Sequence, residues 1–296
     1  MLKRITIICI LAALGLSAGS ALAAFEDVAV SPRARGMGET GVAVPDGPYA
    51  TYLNTAHLAN LEESRLSASY VQPFNLTFAD YYHLGVALPF EQDSGGFGFS
   101  FSQFQVEHQD VDLLDETQLS LGYGRVLYSD LHSSIAMGGS VNMYHLKFGE
   151  TISGLDPGND SALGFDLGLL ATVHKRTRVG VMVKNINNPQ IGIDHEELAH
   201  RVIGGVSYEP YDGVITTFEI DNELGQDVQY HGGIEMHVAP DFALRAGVIT
   251  NPSKLTAGFG YQLHPVSLNY GFSTGGGTLE STHQFGLSVA WGGEAP

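Results

Sequence analysis

Residues 95–105 read Gly-Gly-Phe-Gly-Phe-Ser-Phe-Ser-Gln-Phe-Gln. In an extended chain Phe97, Phe99 and Phe101 fall on one face, and Gly98, Ser100 and Ser102 fall on the other, which is the period of a β-strand. The stretch 283–291 repeats the pattern, with Phe285, Leu287, Val289 and Trp291 opposite Gly286, Ser288 and Ala290. Segments 162–174, 254–263 and 265–273 do the same. Working outward in both directions, alternating segments cover 65–74, 80–90, 95–106, 116–127, 131–147, 161–174 and 176–187. They continue over 199–209, 213–222, 228–238, 240–249, 253–263, 265–274 and 281–291. That makes about fourteen strands, an even number, as single-chain bacterial barrels have.

The connections sort into two kinds. Tight turns fall at 91–94, 128–130, Lys175, 210–212, Pro240 and His264-Pro265. Longer loops fall at 107–115, 148–160, 188–198, 223–227 and 275–280, with 250–252 a short exception. Short turns on one rim and long loops on the other are the pattern of a periplasmic and an outward rim. A secreted β-sandwich also alternates, but it places charge on its outer face. Here the face opposite the large apolar residues is Gly, Ser, Ala, Thr and Gln, with Asp166, Arg178, Lys184, Glu219, Glu235 and Arg245 among them. Small and ionisable residues together suit a curved lumen wall. The expectation is an all-β, transmembrane, antiparallel up-and-down barrel of about fourteen strands. Its inward charges are expected to pair across the lumen and to hold the N-terminal segment, since unpaired charge in a confined space is costly.

Composition agrees with this reading. Glycine is 37 of 296 residues and only 16% are charged, against about 25% in an average soluble domain. The balance of 14 bases and 32 acids argues against a nucleic-acid partner, because nothing could neutralise a row of phosphates. Residues 1–23 read as a cleaved secretory leader: Lys3 and Arg4, an apolar Ile5–Leu16, then small residues before a cut after Ala23. The single cysteine, Cys9, lies within that leader, so the mature chain has no disulfide or thiol chemistry.

Residues 24–62 do not alternate. Gly36, Gly38 and Gly41 precede Pro45-Asp46-Gly47-Pro48, and Tyr49–Leu61 is expected as a short helix capped by Asp46. The expected division is leader 1–23, N-terminal plug 24–62 and barrel 63–296. The three glycines would let the plug approach the wall closely.

Apparent catalytic patterns lack their contexts. Gly36-Met37-Gly38-Glu39-Thr40-Gly41 fits the dinucleotide fingerprint, but no βαβ unit surrounds it. Gly271-Phe272-Ser273-Thr274-Gly275 fits a nucleophile elbow, but it runs along a strand. His195 and His200 miss the zinc-helix spacing by one residue. No enzyme, cofactor or metal site is expected. Loops 107–116, 148–160, 188–198 and 223–227 hold thirteen acids and no Lys or Arg. This reads as a solvated rim, with weak binding of a divalent cation or a basic partner as the sharper alternative.

Two stretches carry a resemblance. Ala34-Arg35-Gly36-Met37-Gly38-Glu39-Thr40-Gly41-Val42-Ala43-Val44, then Tyr52-Leu53-Asn54-Thr55-Ala56-His57-Leu58-Ala59, is similar to the N-terminal signature of the PorV/PorQ group within the FadL-like outer-membrane barrels. Asn54, Ala56 and Leu58 match the signature, while Thr55 stands for its proline and His57 for its glycine. The segments 232–235, 243–247, 257–261 and 282–288 are similar too. The resemblance implies a fourteen-stranded outer-membrane barrel with an N-terminal segment in the lumen, where Asn54 makes polar contacts. For PorV-like members it implies the binding or anchoring of secreted proteins, with type IX secretion-system subunits or secreted cargo as partners beside the outer-membrane lipid. For FadL-like relatives it implies a passive channel for small hydrophobic solutes, which is the alternative reading.

Overall fold

The computed structural model describes residue 25 and residues 28–90, 94–109, 111–149, 158–275 and 279–292. The leader, the loop centre at 150–157 and the last four residues lie outside these. Fourteen antiparallel strands close into one barrel. They are β1 (Ser64–Gln72), β2 (Ala79–Pro89), β3 (Gly96–His108), β4 (Val111–Ser129), β5 (Ser133–Phe148), β6 (Asn159–Val173) and β7 (Thr177–Lys184). A two-residue ladder of β8 (Gln190–Ile191) with β9 (Glu196–Glu197) interrupts the series. The barrel resumes with β10 (Arg201–Tyr211), β11 (Val214–Glu223), β12 (Gln229–Ala239), β13 (Phe242–Ile249), β14 (Lys254–Leu263), β15 (Val266–Ser273) and β16 (Thr282–Trp291). Closure is made by β1 on β16, with Leu66 opposite Val289 and Tyr70 opposite Phe285. No edge is left unpaired, which removes the usual liability of a sheet.

The inside and outside of the wall follow from burial. Along β6, Leu163, Phe165, Leu167 and Leu169 are exposed while Asp166 and Leu170 are buried. The same holds for Leu121 and Tyr123 on β4, Val141 and Met143 on β5, Phe218 and Ile220 on β11, and Phe285 and Leu287 on β16. A continuous girdle of exposed leucine, valine and aromatic side chains is unfavourable in water and favourable in lipid.

Two regions depart from the sequence expectation. The strands β3 and β4 continue through most of what reads as a loop at 107–115, pairing as far as His108 and Val111. A bulge between Val106 and Glu107 breaks the alternation there and hides the pairing in the sequence. As a result β4 has 19 residues and β5 has 16, against roughly 9–11 needed to cross a bilayer. These strands overhang the girdle at the long-loop rim.

The second departure is in the N-terminal segment. Tyr49–Leu61 is not one helix: Gly47–Tyr49 is a 3-10 turn, Ala50–Leu53 is α-helical, and Thr55–Asn60 is again 3-10. The break is at Asn54, whose extended backbone frees its side chain to accept a hydrogen bond from the Ala56 amide at 3.0 Å. Asp46 makes no cap; its carboxylate accepts from the Ser31 hydroxyl at 2.7 Å. Ser31 in turn caps a further helix, Pro32–Gly36, by accepting from the Ala34 amide. Serine at the cap and proline at the first position are the expected opening of a helix.

Candidate functional site

The lumen is filled at the short-turn end and hollow at the long-loop end. Residues 28–62 fill the first region. The helix Pro32–Gly36 packs against β13–β16, and the 3-10 stretch Thr55–Asn60 packs against β3–β6, so the segment crosses the lumen. The wall receives it on glycines. A Cβ on Gly271 would collide with the Pro32 carbonyl oxygen at 2.5 Å, and one on Gly138, Gly180 or Gly247 would meet the backbone of Thr55, Val42 or Gly38. Glycine in these strands therefore makes room for a second chain. Within the segment, Gly36 lies against Gly258, and Gly38 has a positive φ of 73° with the Gly232 and Val248 carbonyls close by. Gly41 is different: it faces Leu53 of its own segment, not the wall.

Charge fixes the segment in place. Glu235, 1% exposed, accepts two hydrogen bonds from Arg33 at 2.7 and 2.9 Å and one from Arg245 at 2.6 Å. One wall carboxylate is thus shared by an arginine of the wall and an arginine of the segment, which satisfies the requirement that buried charge be paired. Glu219 accepts from the amides of Gly41 and Val42, both at 3.0 Å. Lys184 places its ammonium 3.6 Å from the centre of the Tyr52 ring. Asp166 stays within the wall, held by Ser140, Asn142 and the Asn185 amide. Arg178 is half-buried on β7, opposite Ser207 and Thr172. Asn54 donates to the Val42 carbonyl at 2.8 Å and the Leu169 carbonyl at 3.0 Å, so it ties two parts of the segment to β6. His57 donates through Nε2 to the same Val42 carbonyl at 3.1 Å. Burial holds its imidazole neutral, pushed down to about 3, and the Arg178 and Arg33 charges act in the same direction.

Three anchoring residues were not legible in the sequence. Arg33 and Arg35 stand just before the glycines of the N-terminal segment; besides Pro45 and Glu39 nearby, their wall partners are more than two hundred residues away. Arg35 donates to Gln284 at 2.6 Å and to Ser273 at 3.1 Å. Ser273, the serine of the apparent nucleophile elbow, is a buried anchor for that guanidinium. Arg201, at the first position of β10, is buried and ion-paired with Asp221. His195 sits in the turn between β8 and β9, and His200 bonds to Asn188.

Above the segment are two cavities. One, of about 610 Å³, is polar and is lined by Glu39, Lys184, Arg201, Glu219, Asp221 and His231 among others. The other, of about 620 Å³, is predominantly apolar. Its wall is Phe104, Val106, Leu114, Leu146 and Phe148, and Phe74, Ile191 and Ile193 cover it. Val28 forms part of its floor. The connection carrying β8 and β9 is folded into the mouth: Ile191 and Leu198 pack on Tyr144 and Leu146, and the Gly192 amide donates to Asp160.

This cavity exists because the polarity of the wall inverts. Phe97, Phe99 and Phe101 face outward, but Phe104 and Val106 face inward, since the step from 101 to 104 is odd. On the outer surface at this level stand Gln103, Asp115 and Thr117, joined by hydrogen bonds. Beyond the girdle water replaces lipid, and the sheet turns apolar residues inward and polar ones outward, apart from the exposed Val111 and Leu113 and the inward Glu116. The odd spacing of Phe101 and Phe104, matched by that of Met143 and Leu146 on β5, is the sequence signal that marks the inversion.

No protein-family model matches the chain, and no curated protein matches it in sequence. Solved structures do match in shape. The Pseudomonas putida toluene transporter TodX superposes with a TM-score of 0.57 at 13% identity, over 88% of this chain and 96% of that one. A deletion mutant of TodX, described as a monoaromatic hydrocarbon channel, gives 0.62 at 12%, over 88% and 97%. A Pseudomonas aeruginosa FadL homologue gives 0.56 at 11%, over 88% and 98%. At such identities the likeness is one of fold: a closed fourteen-stranded antiparallel barrel of the FadL-like kind.

Proposed function

We propose that this protein is a non-enzymatic outer-membrane channel for small apolar solutes, with residues 28–62 as its plug and the long-loop rim facing the outside of a Gram-negative-type envelope. The observation that carries this reading is the apolar cavity of about 620 Å³, set in the mouth of an otherwise polar lumen. Concave apolar sites of roughly 300–1,000 Å³ are the size in which small molecules bind. A solute leaving water would enter between Ile193 and Phe74 and rest against Phe104, Leu114 and Leu146. The exposed girdle supports the membrane location, and the leader read at 1–23 supports export.

A PorV-like role, binding or anchoring secreted proteins, would use the same barrel but gives the cavity no task. The solved structures of similar fold include a toluene transporter and a hydrocarbon channel, which also favours the solute reading. The test is uptake of radiolabelled naphthalene by cells carrying the intact protein or the triple variant Val106→Trp, Leu114→Trp, Leu146→Trp, whose indoles obstruct the cavity. Both should reach the membrane as heat-modifiable barrels. The variant should take up naphthalene no faster than cells without the protein; equal uptake by variant and parent would remove the cavity from the route.

A further inference from the structure

The apolar cavity touches the plug only at Val28, whereas the polar cavity is lined by Ala34, Glu39, Val42 and Leu53 of the plug. A solute moving inward from the mouth must therefore cross from the first cavity to the second. Among the described residues, Phe74 alone lines both. The other link is a small cavity of about 60 Å³, which meets the apolar one at Phe104 and Glu116 and the polar one at Tyr52, Lys184 and Arg201 among others. That is room for a few water molecules, far below the roughly 300 Å³ at which small-molecule sites begin.

Phe74 lies in the turn Pro73–Asn75 that joins β1 to β2, and its backbone is left-handed, with φ 54° and ψ 25°. Asn75 follows with φ 57°. Asparagine tolerates that region, but a bulky side chain rarely occupies it. The turn is pinned against β16: the Phe74 amide donates to the buried Thr282 hydroxyl at 2.9 Å, and the Asn75 side chain donates to Glu280 at 2.9 Å. Lys254, which lines the polar cavity, places its ammonium 5.6 Å from the centre of the Phe74 ring.

We propose that Phe74 is a specificity-determining residue of the solute route: its ring is the partition between the apolar mouth cavity and the polar cavity, and it sets the size of molecule that crosses. The proposal rests on the solute reading above and adds a size limit to it. Because the backbone of the turn is pinned, the aperture is no wider than rotation of one phenyl ring can open. A slender molecule such as naphthalene crosses, and a broad one such as pyrene does not. The left-handed backbone gives the proposal a signature of its own. Asparagine at this position removes the partition and suits the backbone, so size selection is lost without loss of stability, as happens where strain is stored for function. Removing a residue that only packs does the reverse, lowering stability and leaving selection as it was.

The experiment measures uptake of radiolabelled naphthalene and pyrene by cells carrying the parent protein or Phe74→Asn, with uptake by cells lacking the protein subtracted. Each barrel is also followed by heat-dependent gel mobility. The parent should take up naphthalene roughly tenfold faster than pyrene, a ratio within the reach of steric discrimination. In Phe74→Asn pyrene uptake should rise severalfold, naphthalene uptake should stay close to the parent's, and the unfolding temperature should not fall. Phe74→Leu keeps an apolar contact without the ring and should move the ratio the same way, which covers a failure of the asparagine variant to assemble. A naphthalene-to-pyrene ratio unchanged in both variants would overturn the proposal and leave the solute reading standing, as would a parent that takes up the two equally. Naphthalene uptake by the parent no faster than by cells without the protein would overturn both.

Discussion

Two levels of the same three strands obey opposite rules. Within the girdle, β3–β5 carry Phe99, Leu121 and Val141 outward and Ser100, Ser120 and Asn142 inward. Two or three pleats higher they carry Gln103, Asp115 and Lys147 outward and Phe104, Leu114 and Leu146 inward. The backbone is continuous through both levels; the pairing register slips at the bulge beside Val106 and again between Val126 and Tyr128 near the short-turn end. What changes is the solvent. Alternation identifies a strand, but only the medium on each side decides which face takes the apolar residues. The lower level has polar walls and is filled by a segment pinned through charge. The upper level has apolar walls and encloses the cavity.

The sharpest break of this contrast is in the lower lumen. Glu235→Gln leaves Arg33 and Arg245 without their shared carboxylate. Disrupting a buried ion pair costs about 3–5 kcal/mol. We expect a clear fall in unfolding temperature and, because Arg33 belongs to the plug, a rise in steady conductance in planar bilayers over the low level of the intact protein. Glu196→Gln at the mouth should change stability by no more than about 0.5 kcal/mol, as surface substitutions do. Equal effects would mean that the Glu235 cluster does not secure the segment.

Next in size is the position of the lipid boundary. Leu167→Arg lies in the girdle and should cost roughly 2–4 kcal/mol, read by urea unfolding in lipid vesicles. Gln105→Arg, outward on the same wall but above the girdle, should be nearly neutral. Comparable damage at the two sites would place the overhang inside the membrane and remove the reason for the inversion.

The smallest effect concerns acid. Folded His57 titrates near 3 and an unfolded histidine near 6.5, so between these values the unfolded chain binds the extra proton. The stabilisation is fully present above pH 6.5 and is lost progressively as pH falls toward 3. Protease protection of residues 28–62 should therefore weaken from pH 7 to pH 5 in the parent and less so in His57→Gln. Identical profiles would show that His57 takes up no proton when the segment is released.

The strands were readable because lipid on one side and a crowded lumen on the other enforce strict alternation; Leu163–Leu169 and Phe285–Trp291 could scarcely be read otherwise. The plug helix Pro32–Gly36 was missed because five residues offer no period. The anchors Arg33 and Arg35 were missed because their local partners, the Pro45 carbonyl and Glu39, give no sign that either arginine is held against the wall. Their reasons, Glu235 and Gln284, come from strands on the far side of the chain. The cavity was hidden by the same rule that revealed the barrel, since Phe104 reads as one more member of the Phe97–Phe101 series until its odd spacing is counted.

The account turns on an apolar molecule occupying the mouth cavity. Crystals of the full protein grown with 1-bromodecane, measured at the bromine absorption edge, test this directly. The account predicts an anomalous peak inside the barrel mouth, enclosed by Phe104, Val106, Leu114, Leu146 and Phe148. Bromine found only along the outer girdle, with that cavity empty, would contradict it.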